Sequence, residues 1–98
     1  MFHNRPMHRH SIDEFKNSCL AAGFDEVIER EWPAHTELAS HTHPFSVHAL
    51  VTRGEMWLTI AGNTQHLLPG AVFSLDRDVP HQERYGPVGA SYWVARKA

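Results

Sequence analysis

From Phe24 to Arg96 the apolar residues recur with a period of two, and a turn signal interrupts them about every eight to twelve residues. Met56, Leu58 and Ile60 alternate with Trp57 and Thr59, the pattern of a strand with one face buried. Gly54, Ala61-Gly62-Asn63, Pro69-Gly70 and Gly86-Pro87-Val88-Gly89 are the punctuation. The pattern predicts strands over 24–32, 38–43, 47–53, 56–60, 64–68, 71–75, 81–85 and 90–96. Many short strands with little helix leave an antiparallel barrel or sandwich.

One helix precedes them. Ser11-Ile12-Asp13-Glu14 has the form of a capping box, with a serine to cap and a glutamate three residues on. Ile12, Phe15 and Cys19 then fall at helical spacing, widened by Leu20 and Ala22, and Gly23 stops the run. The expected helix covers about 12–22. Residues 1–10, with His3, His8 and His10, lack any core-forming period and are expected to be a flexible N-terminal arm. The 98 residues then make one domain, over 11–98. A core this small gains from closing its sheet or from pairing with a second copy, so a homodimer is expected, with Trp57 as a contact.

The formal net charge of -2 argues against a nucleic-acid binder, which usually shows a basic face. A single cysteine, Cys19, excludes an internal disulfide and fits a reducing compartment. No apolar run reads as a leader or a membrane span, so a cytoplasmic protein without membrane partners is expected.

Three of the nine histidines fall in the stretch His41-Thr42-His43-Pro44-Phe45-Ser46-Val47-His48. His41 and His43 are two apart, so on a strand they share a face, and two imidazoles on one face begin a metal site. His81 stands at a loop–strand junction after Val79-Pro80, where it can meet the pair across a barrel. His48 is a candidate fourth nitrogen. On a regular strand, however, Val47, Ala49 and Val51 share the face of His43 and His48 points away. A bulge at Pro44-Phe45 would reverse that parity.

At this point the chain resembles the cupin family, over about residues 35–85. The first cupin motif is G-x5-H-x-H-x3,4-E-x6-G, and His41, His43 and Gly54 match its histidines and closing glycine. The second is G-x5-P-x-G-x2-H-x3-N, and Gly70 and His81 match its first glycine and its histidine. His35 stands at the first motif's opening glycine. Asp76, Asp78 and Tyr85 stand at the second motif's proline, second glycine and asparagine. The family's glutamate ligand falls on Val47 or on His48, depending on the direction of counting.

The resemblance implies an all-β fold, a small double-stranded β-helix or jelly-roll barrel with one short N-terminal helix. It also implies one divalent transition metal ion, iron, nickel, zinc or manganese, on His41, His43 and His81. Such a site suits a metal-dependent oxygenase acting on a small chelating organic substrate. The alternative is a module that binds a metal or small ligand without turnover. Glu83 and Tyr85 share the face of His81 on a regular strand and are candidate hydrogen-bond partners or proton carriers beside the site. Phe45, Met56, Leu58, Ile60, Phe73 and Trp93 are the expected apolar lining, with Arg53 and Arg77 out in solvent.

Overall fold

The computed structural model describes residues 9–98; His3 and His8 lie outside them. Helix α1 covers Arg9–Ala21, and strands β1 to β6 cover Glu26–Trp32, Glu37–His41, Ser46–Ile60, Asn63–Leu67, Val72–Leu75 and His81–Lys97. All strand pairs are antiparallel. β1, β6, β3 and β4 lie side by side in that order, with β2 added on β6 and β5 on β3. Among the described residues no helix is long and apolar enough to cross a membrane.

The helix starts at Arg9. Ser11 therefore sits inside its first turn rather than at its cap, and the last two residues of the expected arm are helical. At the other end the expected glycine stop is present. Gly23 has φ 95°, its N–H donates to the Leu20 carbonyl, and the N–H of Phe24 reaches back to Cys19. These are the two bonds of a Schellman cap, which satisfy carbonyls the helix leaves open. Cys19 is buried under the helix, whereas Leu20, expected on the same stripe, is exposed.

The sequence reading splits β3 at Gly54 and β6 at Gly86–Gly89, and the structure corrects both divisions. Each is one long strand that bends. The first half of β3 pairs with β5 and the end of β6, and its second half with β4 and the start of β6. The bend in β3 falls at register shifts on either side of Gly54. Gly54 has φ 78°, and a Cβ there would stand 2.1 Å from the Gly89 carbonyl oxygen. Gly89 has φ 73° and presses as closely on the Trp32 carbonyl. Two backbones crossing this tightly need residues without side chains and with access to positive φ. The glycines thus crease the strands without ending them.

Two positions where the resembled motifs carry glycine keep its backbone without its residue. His35 has φ 60° and Asp78 φ 64°. The Asp78 N–H is held by the His43 carbonyl, and the His35 N–H by Gly86. Aspartate and histidine tolerate this conformation better than most side chains do.

Val47, Ala49, Val51, Met56, Leu58, Phe73, Tyr85 and Val94 belong to one continuous buried core. Met56 and Leu58, expected along a pocket, are fully buried within it. Trp93 faces the helix side, where the Lys16 ammonium lies 4.8 Å above its ring. Trp57 is half covered, between the His66 ring at 4.7 Å and the Arg84 guanidinium at 4.1 Å.

Candidate metal centre

β2 ends at His41, β6 begins at His81, and the two residues are paired across the strands. His43 follows in the loop to β3. One ring nitrogen from each of His41, His43 and His81 lies within 4.8 Å of the others. Ring centroids are 4.2 Å apart for His41 and His81, and 5.0 Å for each pair that includes His43.

The hydrogen bonds fix which nitrogens are free. His41 Nδ1 lies 2.7 Å from the Ala39 carbonyl, and His81 Nδ1 lies 3.0 Å from the Val79 carbonyl. A carbonyl only accepts, so each Nδ1 carries the proton and each Nε2 presents a lone pair. Such outer bonds orient histidines that hold metals. His81 Nε2 is buried with no hydrogen-bond partner. A buried nitrogen without a partner calls for explanation, and a cation at the meeting point of the three rings supplies one. The donor set fits a divalent transition metal.

Glu83 completes the surroundings. Its Oε2 lies 3.3 Å from His41 Nε2 and 3.4 Å from His81 Nε2. Its Oε1 accepts the hydroxyl proton of Tyr85. Both residues are buried. A carboxylate facing two imidazole lone pairs at this distance is repelled unless a proton or a metal cation lies between them. Burial pushes the Tyr85 hydroxyl well above the ordinary tyrosine range, with Tyr92 and Glu83 adding to the shift, so it stays a donor. Tyr92 is raised too, by burial first and then by Glu83. The Trp32 indole N–H donates to the Tyr92 hydroxyl at 3.0 Å.

His48 does not join the three. Pro44-Phe45 is a bend in the loop before β3, and beyond it Val47, not His48, lines the cavity with His43. The His48 side chain emerges on the helix side, where Nδ1 lies 2.6 Å from Ser74 Oγ and the ring stacks on Phe15 at 5.6 Å. Val47, one of the two residues onto which the family's glutamate falls, faces the cavity.

His43 differs from its neighbours in having no hydrogen bond to a carbonyl among the described residues. Its ring stacks on Phe45 at 5.0 Å and 10°. Burial lowers its pKa, and the positive forms of His81 and His41 lower it further. Neutral imidazole is the form that binds metal.

The rings open on a cavity of about 460 Å³. Of the expected lining, Phe45 and Phe73 are there, while Met56, Leu58, Ile60 and Trp93 are not. Arg30 and Arg96 are there as well, and the sequence reading did not place them. The available signal was parity: Arg30 alternates in step with Ile28 and Trp32, and Arg96 with Tyr92 and Val94.

Several solved structures resemble the chain in fold. The DMSP lyase DddQ from Ruegeria pomeroyi superimposes with a TM-score of 0.68 at 20% identity, over 74% of this chain and 37% of that one. An RmlC-like cupin from Shewanella frigidimarina gives 0.64 at 20% identity, over 74% and 66%. KdgF from Halomonas sp. gives 0.63 at 15%, over 74% and 67%. The chain thus spans just over a third of the length of the two lyase structures it resembles. The likeness establishes the double-stranded β-helix fold. Comparison with curated protein sequences finds no match. A family model described as the AraC-like ligand binding domain matches residues 26–95, and the chain belongs to that family of cupin-type domains.

Proposed function

We propose that this domain holds one divalent transition metal ion on His41, His43 and His81 and binds a small organic molecule against it. The observation that carries the reading is the buried Nε2 of His81, without a hydrogen-bond partner, converging with two further imidazoles at the mouth of a cavity. Glu83 is the carboxylate of the site. It reaches the centre from β6, two residues beyond His81, whereas β3 offers Val47 and His48 where the family has its glutamate. Three neutral nitrogens and one carboxylate suit iron, nickel, zinc or manganese.

When bound, such an ion supplies Lewis acidity and open positions for a chelating ligand or dioxygen. The chain's own residues do the rest. The Ala39 and Val79 carbonyls hold two imidazoles in the metal-binding tautomer. Tyr85 keeps Glu83 turned inward. The walls from Phe45, Val47 and Phe73 exclude water from the bound molecule.

With turnover, the reading is an oxygenase acting on a small chelating substrate such as a dicarbonyl or a thiol acid. The cavity beside the histidines supports it. A second reading is reversible ligand binding without chemistry, and membership of a ligand-binding family supports that one. Elemental analysis of protein purified without a histidine tag, followed by His81→Ala, tests the metal. One equivalent of metal in the parent and none in the variant is expected, and no metal in the parent would overturn the oxygenase and any metal-dependent form of the binding module. Oxygen consumption by the loaded protein across a panel of dicarbonyls and thiol acids then separates them: uptake selects the oxygenase, and its absence selects the binding module.

A further inference from the structure

Two guanidinium groups in the cavity wall are unexplained by the metal. Arg96 Nε is buried without a hydrogen-bond partner. One Nη of the same residue reaches Glu26 Oε1 at 3.4 Å, on the exposed side. Its guanidinium lies over the Phe45 ring at 4.9 Å, and Phe45 stacks in turn on His43 at 5.0 Å. Arg96 therefore stands two stacking distances from the histidines. Arg30 makes no hydrogen bond or ion pair among the described residues and lies over Trp32 at 5.2 Å. By register, Arg96 faces Glu26 and Arg30 faces Tyr92, four residues further along β1.

The cavity's own carboxylates do not neutralise these groups. Glu83 is held by Tyr85 and turned to the histidines. Glu37 is exposed, with no ion pair among the described residues. A buried guanidinium donor without an acceptor is costly, and its planar fork matches a carboxylate.

We propose that the cavity selects a small organic acid: Arg96 binds its carboxylate, Arg30 gives the anion a second cationic contact, and the acid's other polar end meets the histidine centre. The last clause rests on the metal reading above; the anion contacts do not. A hydroxy acid with a second carboxylate has the matching chemistry, since it can chelate at one end and present a carboxylate a few bonds away.

Malate and 2-hydroxybutyrate form the probe pair, because they share the chelating end and differ in the distal carboxylate. Affinity is read by titration of the cobalt(II)-loaded protein, through the cobalt visible spectrum and tryptophan fluorescence, Trp32 being in the cavity wall. Malate is expected to bind about tenfold to a hundredfold tighter than 2-hydroxybutyrate, the worth of a charge-assisted hydrogen bond. Arg96→Gln is expected to erase that preference, Arg96→Lys to retain part of it, and Arg30→Gln to reduce it. Glu26→Gln, which frees Arg96 without touching the cavity face, is expected to leave the preference intact or enlarged. A parent without preference, or an Arg96→Gln protein that keeps it, would overturn the proposal.

If the parent takes up no cobalt, the metal reading fails by itself. The anion contacts are then read on the metal-free protein with succinate. Fluorescence-detected binding that Arg96→Gln abolishes supports them, and no binding overturns them.

Discussion

Glu83 Oε2 lies 3.4 Å from His81 Nε2, two residues away on the same face of β6. The pair makes one strand the source of both a neutral and an anionic donor. Glu83→Gln removes the charge and keeps the shape. It is expected to weaken zinc or cobalt binding by about tenfold to a hundredfold, the range for losing a supporting carboxylate. His81→Ala is expected to abolish stoichiometric binding. Competition with a chromophoric chelator measures both. Equal affinity in Glu83→Gln and the parent would leave the carboxylate without a role at the metal.

His48→Ala should leave metal content unchanged, while His41→Ala and His43→Ala lose the metal. His48 bonds to Ser74 and packs on Phe15, so the cost appears in folding, at about 1 kcal/mol. Metal analysis together with urea unfolding of the metal-free proteins separates the two effects. Loss of metal in His48→Ala would overturn the assignment of faces along β3.

Gly54→Ala is expected to destabilise by at least about 2 kcal/mol, through strain at positive φ and the clash with the Gly89 carbonyl. The opposite change applies at His35, where a bulky residue holds φ 60°. His35→Gly should raise stability by about 1 kcal/mol by removing left-handed strain. Thermal unfolding midpoints moving in opposite directions would confirm the pair.

The metal-free protein is expected to lose stability as pH falls. The folded pKa of His43 lies below its unfolded value, so below about pH 6.5 the unfolded chain takes up a proton that the folded one resists. The contribution of His43 is absent above that range and grows unfavourable as pH falls through it, levelling off only below the folded pKa. His43→Gln should flatten the slope of stability against pH, as denaturant unfolding from pH 8 to 5 can show.

The histidine pair, His81 and the all-β architecture were legible because each rests on local spacing or on motif distances. Parity grouped Glu83 and Tyr85 with His81, since residues two apart on a strand share a face, but it did not show that the carboxylate would be buried. Arg30 and Arg96 were not. Parity groups residues by face, but it does not say which face of β1 meets a cavity, and an arginine in alternation reads as the solvent side. Gly54 was misread because a glycine that ends a strand and one that creases it look alike in sequence. The difference lies in the partner backbone, here Gly89, which is 35 positions away.

The crease has a consequence for how the site tolerates change. β6 carries His81 and Glu83 at its start and Arg96 at its end, with no loop between them. The imidazole pole and the guanidinium pole of the cavity are therefore set by one uninterrupted count of residues. An insertion of a single residue near Tyr92 would leave the first pole in place and turn the second outward, so length in this strand is as tightly constrained as identity.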